Sequence, residues 1–274
     1  MKRSIKALLG QALFASRLDS LMVGNAAVVV AFHRVQDAPD ANGLSTSLEM
    51  FERYCRLFRR HFRVIPLRDL VERMERGRAL HRQLAITFDD GYRDNFELAA
   101  PVLEKLSLPA TFFIVSQWMG SDVVPWWDRQ QNVRYPWMTW DEVRSLHRKG
   151  FDIGAHTRTH ADLGRVVDGQ AREEIFGGKH EVEQHLGAPV ELFAYPYGRS
   201  DNIVDSNRDL VKAAGFRCCC SCFGGINSSR SDPFHLARIP ISPWYSSLGL
   251  FGFEVALGRS VTSYPGTQPI QPAA

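Results

Sequence analysis

Two adjacent carboxylates, Asp89 and Asp90, follow the apolar run Leu84-Ala85-Ile86-Thr87-Phe88 and precede Gly91 and Tyr92. Neighbouring carboxylates repel each other unless something positive separates their roles. A metal ion does so by taking one as a ligand and leaving the other free as a base. Gly91 permits the sharp turn that lets both face one site. An ordinary Asp-Asp-Gly surface turn has the same letters, so the pair gains meaning only beside a second constellation. That constellation is His156 and His160, which follow the run Phe151–Ala155. Four residues apart, they are expected to meet on one face of a helical turn and hold one ion. Two histidines and one aspartate leave coordination positions open, the pattern of a catalytic rather than a structural site. A third piece, Phe193-Ala194-Tyr195-Pro196-Tyr197-Gly198, reads as a turn whose Tyr197 N–H is suited to hold an oxyanion. The fourth is His33, directly after Ala27–Phe32 and a candidate general acid.

Each of these groups ends a short apolar run, and the runs alternate with helical patterns, the signal of βα units. Strands are expected at Ala27–Phe32, Phe62–Ile65, Leu84–Phe88, Thr111–Val115, Phe151–Ala155, Leu192–Tyr195, Arg217–Cys222 and Leu236–Ile241. Parallel strands closed into a barrel place function at their C-terminal ends. A helix follows a capping box of Thr46 and Glu49, with Phe51, Tyr54, Cys55, Phe58 and Phe62 as its apolar stripe and Arg53, Arg56, Arg59 and Arg60 facing solvent. Further helices are read at Leu67–Met74 (ended by Gly77), Asp141–Lys149 and Arg172–Leu186 (closed by Gly187). Between Ser116 and Trp137 the aromatic density, with Trp118, Trp126, Trp127, Tyr135 and Trp137, suggests a purposeful surface loop whose rings stack on sugar or pack on the barrel rim.

The 274 residues, 45% hydrophobic and 23% charged, exclude disorder and fibrous repeats and fit one α/β domain. A net charge of +3 carries no argument for nucleic acid. The longest apolar run, Ala26–Phe32, is far short of a spanning helix, so no transmembrane segment is expected. Lys2, Arg3 and Lys6 ahead of Leu8, Leu9, Leu13 and Phe14 loosely mimic a signal peptide, but Gly10 and Gln11 interrupt the stretch. A short amphipathic helix is read there, packed on the domain or touching a membrane surface. Cys218, Cys219, Cys220 and Cys222 crowd together, with Cys55 apart. An odd count and adjacent thiols make a poor disulfide framework and favour a reducing, cytoplasmic setting. The cluster reads as a buried strand rather than a metal site. The division expected is a helical segment over 1–24, the catalytic domain over 25–245 and a tail over 246–274, disordered from Ser263.

Thr87-Phe88-Asp89-Asp90-Gly91, His156-x-x-x-His160 and Tyr195-Pro196-Tyr197-Gly198, in that order, resemble the polysaccharide deacetylase family, also known as the NodB-homology domain or carbohydrate esterase family four. The resemblance covers roughly Val28 to Ile241. It implies a distorted (β/α)7-type barrel and a divalent metal, zinc in the usual case, that serves removal of N-acetyl groups from an oligo- or polysaccharide. It further implies Asp89 as base, Asp90, His156 and His160 as metal ligands, and Tyr197 as the backbone oxyanion donor. Phe32-His33-Arg34-Val35 resembles a subgroup acting on exopolysaccharides in which this histidine is the acid, so His33 is preferred to His235. Trp126, Trp127, Trp137 and Tyr195 are the candidate sugar contacts. The chain has Ala194 where the common pattern carries an arginine, so the arginine that orients the base is expected to be missing. Two rival expectations remain: hydrolysis of another amide or of an acetyl ester by the same site, and a glycan-binding homologue with weak catalysis.

Overall fold

The computed structural model describes residues 2–18, 23–37, 43–241 and 247–257. In chain order its strands are β1 (Ala26–Phe32), β2 (Arg34–Gln36), β3 (Ser45–Ser47), β4 (Arg63–Val64), β5 (Gln83–Phe88), β6 (Thr111–Ile114), β7 (Asp152–Ala155), β8 (Leu192–Ala194), β9 (Cys218–Cys220), β10 (Ile226–Ser228) and β11 (Ile239–Pro240). Strands β1, β5, β6, β7, β8 and β9 lie parallel in that spatial order. The segment from Leu236 then brings the sheet round. Leu236 bridges Cys220 in parallel, and three residues later Ile239 pairs Val30 of β1. Counting that segment, seven parallel strands follow one another round the core, with the two-residue β4 parallel to β5 beside them, the distorted (β/α)7 arrangement expected.

The distortion has a local cause. β1 and β5 pair along one edge and each divides its other edge between two partners. Antiparallel β10 takes the first half of β1 and β11 the second, while β4 takes the start of β5 and β6 its end. β1 itself is buried throughout, as a strand covered on both faces must be. Inside, Phe32 stacks on Phe88 at 5.4 Å and Phe88 on Phe112 at 4.9 Å, so an aromatic layer lies directly beneath the catalytic ends of three strands.

The helix Leu48–His61 buries Phe51, Tyr54, Cys55 and Phe58 and turns its arginines outward, as its periodicity requires. Its cap is Ser47, which accepts from Met50 N; Thr46 is instead buried within β3. Thr139 and Glu142 form a reciprocal capping box on the helix Trp140–Arg148. The expected single helix over Arg172–Leu186 is interrupted by a π turn, Glu173–Gly177, before resuming at Gly178–Leu186 and closing on Gly187 at φ 69°. All five cysteines are free thiols; Cys218, Cys219 and Cys220 are buried in β9, as the apolar reading anticipated.

The helix Arg3–Ala15 packs against the helix Leu248–Leu257. Glycines set the approach, for a Cβ on Gly10 would fall 1.8 Å from Gly249 O. Part of the segment read as a tail is therefore helix. Its sequence, LGLFGFEVAL, hides this because two glycines weaken the propensity that tertiary packing restores. The disorder expected from Ser263 lies outside the described residues. Among the described residues no helix is long and apolar enough to cross a membrane.

Candidate active site

The C-terminal ends of β1, β5, β7 and β8 deliver the four motifs to one place. After β5, Asp89 N–H donates to Phe32 O, and Asp90 and Gly91 then turn the chain with φ of 74° and 87°. A non-glycine residue in that region is costly and persists only where packing enforces it. A side chain at Gly91 would also collide with Met119 Cε at 2.6 Å. The turn sends the two carboxylates to different partners. Beyond β7 the chain does not form the helical turn read from the histidine spacing. Thr157 and His160 adopt φ of 62° each, and a bent loop folds the two rings toward one another at 5.1 Å.

Asp90 Oδ1 lies 3.4 Å from His156 Nε2 and 3.3 Å from His160 Nε2, all three side chains being buried. One ligand atom from each falls within 4.8 Å of the others. His156 Nδ1 donates to Ala194 O at 2.8 Å, which leaves Nε2 as a lone pair aimed at Asp90. Asp90 Oδ1 is buried with no hydrogen-bond partner. An orphaned carboxylate oxygen between two imidazole nitrogens is a donor set that a divalent cation completes. The His160 ring is itself boxed by Trp118 at 5.1 Å, Trp127 at 5.2 Å and Tyr197 at 4.8 Å.

Asp89 takes the other direction. Arg238, from the segment that closes the sheet, grips it with two 2.7 Å bonds, and both groups are buried. The expectation that an orienting arginine is missing is thereby corrected: position 194 is alanine, and Arg238, 149 positions after Asp89 in the chain, reaches that carboxylate from the segment beside β1. Arg238 also donates to Thr87 Oγ1 at 3.0 Å and lies 3.0 Å from Cys222 Sγ. Burial raises the Asp89 pKa, yet Arg238, His156 and His33 together bring it below the ordinary carboxylate range. Cys222 therefore belongs to the site rather than to the strand before it. Burial pushes its thiol up to about 12, so it stands there as a neutral S–H.

His33 follows β1 and is partly exposed, its carbonyl held by Asn95 Nδ2 at 2.8 Å. Burial lowers its imidazole pKa while the charges of Asp90 and Asp89 oppose that shift. His235 is exposed on a 3-10 turn, edge-on to Phe223 at 5.6 Å. Tyr197, at φ 60°, receives Trp126 Nε1 on its hydroxyl at 3.4 Å, and its N–H meets no acceptor among the described residues. Its turn is backed by Gly198, where a Cβ would lie 2.4 Å from Cys222 N.

The aromatic loop divides. Trp126 and Trp127 are half-buried at the rim. Trp137 is 3% exposed, wedged between Tyr92 at 4.4 Å and Trp118 at 4.6 Å, with Nε1 spent on Val123 O. Tyr195 is 1% exposed, edge-on to Phe193. Neither offers a face to sugar, so both are corrected to packing residues. The loop is pinned by an unforeseen buried pair, Arg34 to Asp128 at 2.8 Å, with Arg34 lying 4.1 Å over the Tyr135 ring.

A second unforeseen group is Glu174, buried in the π turn. Its carboxylate accepts from Arg158 N at 3.0 Å, Thr159 N at 2.8 Å and Thr159 Oγ1 at 2.6 Å, tying down the loop between the two histidines. Groups that fix metal ligands in this way are worth about 10–100-fold in affinity. If Asp90, His156 and His160 hold a divalent cation, Glu174→Ala is expected to weaken its binding by that factor in a competition titration with a chromophoric chelator, with Glu174→Gln in between. Unchanged affinity in both variants contradicts the role.

The pattern of the polysaccharide deacetylase family matches residues 76–219, just over half of the chain. YxkH of Bacillus subtilis is 27% identical over 164 residues, which take 59% of this chain and 52% of that protein, so the chain spans about half of this relative. A poly-beta-1,6-N-acetyl-D-glucosamine N-deacetylase of Staphylococcus aureus is 21% identical over 241 residues, 80% of this chain and 79% of the relative. Among solved structures, IcaB from Ammonifex degensii superposes with a TM-score of 0.70 at 20% identity, covering 84% of this chain and 98% of that one. The Streptococcus pyogenes deacetylase PplD does so with a TM-score of 0.70 at 17% identity and the same coverage, which shows a shared fold. With its strand ends, its paired carboxylates and this match in agreement, the chain belongs to the polysaccharide deacetylase family.

Proposed function

We propose that this protein hydrolyses N-acetyl groups of an N-acetylated glycan, using a divalent cation held by Asp90, His156 and His160. The observation that carries the reading is the division of labour between adjacent carboxylates: Asp90 faces two imidazole nitrogens, and Asp89 is ion-paired to Arg238. A cation bound there supplies a Lewis acid for the amide carbonyl and acidifies water. Zinc suits two nitrogens and one oxygen, and other first-row divalent ions compete for such a set. Asp89, kept ionised and fixed in direction by Arg238, accepts the proton of the attacking water. The Tyr197 N–H is the donor for the carbonyl oxygen as it gains charge. His33 delivers the proton that lets the amine leave, and the products are acetate and a free amino sugar. Trp126 and Trp127 stand at the rim, where indole faces suit sugar rings. The Staphylococcus aureus relative, named for poly-beta-1,6-N-acetyl-D-glucosamine, makes that polymer the leading substrate to test.

The experiment is direct measurement of acetate released from poly-β-1,6-N-acetylglucosamine, from chitin oligomers and from an acetyl ester, before and after chelation. Release from a glycan that chelation stops and added cation restores is the expected result. Release from the ester alone replaces the reading. The acid is tested in the same assay. His33→Ala should lose about 10²–10⁴-fold on an unactivated acetamide. His235→Ala, whose ring is exposed on the Pro233–His235 turn, should stay within about twofold of wild type, as surface changes usually do. A reversed order reassigns the acid.

A further inference from the structure

The terminal helix pair has an unpacked side. In the helix Arg3–Ala15, Gly10 and Phe14 are buried, with Phe14 against His61, Phe62 and Phe251. Ile5, Leu8 and Leu9 are 47%, 66% and 42% exposed, and with exposed Ala12 they recur at i, i+3, i+4 and i+7. That spacing makes one continuous stripe, and it points away from the buried face. Leu18 just beyond the helix and Leu257 on its partner are exposed as well. Single exposed leucines are ordinary, but a stripe of them on an ordered helix is not.

Charge decides what covers the stripe. The helix Arg3–Ala15 and its flanks carry Lys2, Arg3, Lys6 and Arg17, against Asp19 and, on the partner helix, Glu254, so the basic side chains outnumber the acidic ones two to one. Lys2, Arg3 and Arg17 are exposed, and the Lys6 ammonium lies 5.2 Å from the Phe253 ring. A second copy of this face would bring like charges together around the apolar contact, whereas a surface of anionic headgroups meets both features at once. A helix of this length extends about 20 Å, too short to cross a bilayer and long enough to lie in its interface. We propose that the paired terminal helices seat this protein on an anionic lipid surface, with Ile5, Leu8 and Leu9 at the acyl boundary and the basic side chains against the headgroups.

The test is co-sedimentation of the full chain with vesicles of phosphatidylcholine alone and with one-third phosphatidylglycerol. Binding is expected to the anionic vesicles and to fall with added salt. Leu8→Glu with Leu9→Glu should reduce it more than tenfold, and Lys2→Gln with Lys6→Gln by about fivefold per cation at low salt. Acetate release from a soluble glycan should be the same in all forms, so failure here is separate from failure of the proposed chemistry. Absence of binding to anionic vesicles, or equal binding by the leucine variant, overturns the proposal. So does a wild-type dimer in light scattering that the leucine variant abolishes without any vesicle binding, which would assign the stripe to self-association.

Discussion

Asp89→Asn is expected to keep its cation and lose about 10²–10⁴-fold in the rate of acetate release, the usual worth of a positioned base. Asparagine preserves the size of the side chain and leaves Asp90, His156 and His160 unaltered, so metal content by mass spectrometry should remain one per chain. The variant also strips Arg238 of its counter-ion. Both members of that pair are buried, and breaking such a pair costs about 3–5 kcal/mol because a charge is left uncompensated. Asp89→Asn should therefore melt markedly below wild type. Combining it with Arg238→Met removes the stranded charge and should recover much of the melting temperature with no gain in rate. Because the Asp89 pKa is depressed in the fold, the pair stabilises at any pH above the unfolded carboxyl value, 3.8, and that contribution disappears as pH falls through the folded value. Wild-type turnover in Asp89→Asn, with full metal, removes Asp89 from the base role.

His160→Ala should empty the centre. The ring supplies one of three donors, and its loss leaves Asp90 and His156 as an incomplete pair in a buried pocket of aromatic rings. The expected loss of affinity exceeds the 10–100-fold of an outer group such as Glu174, and activity at submicromolar metal should drop to background. A second readout is independent of chemistry. A cation that binds only the folded chain stabilises it by about 4 kcal/mol at 1,000 times its dissociation constant. Chelation should lower the melting temperature of wild type and leave that of His160→Ala where it is. Equal metal content and an equal chelator shift in the two proteins sink the assignment.

The histidines, the carboxylate pair and the Tyr197 turn were legible because each is a local run of letters behind a strand, and strand ends are where a parallel sheet displays its chemistry. Arg238 was not. It pairs with Asp89 across 149 positions, and nothing in Leu236-Ala237-Arg238-Ile239 distinguishes it from any strand arginine. Glu174 and the Arg34–Asp128 pair were hidden for the same reason: their partners are tertiary. Spacing misled at His156 and His160, where four residues suggested a helical turn and left-handed backbone at Thr157 and His160 made a loop. Composition misled at Trp137 and Tyr195, since an aromatic side chain reads alike whether it lines a groove or fills the space beneath one.

The position of Arg238 also bears on the order in which a growing chain becomes competent. Asp89, Asp90 and both histidines are made well before it, yet Asp89 has its counter-ion only when the segment that rejoins β1 is complete. At about 5–20 residues per second, the 149 positions between them correspond to roughly 7–30 s of synthesis. Through that interval the sheet lacks its final parallel edge, and a carboxylate destined for burial has no guanidinium to enter with. The ion pair around Asp89 is thus completed only as the fold itself closes.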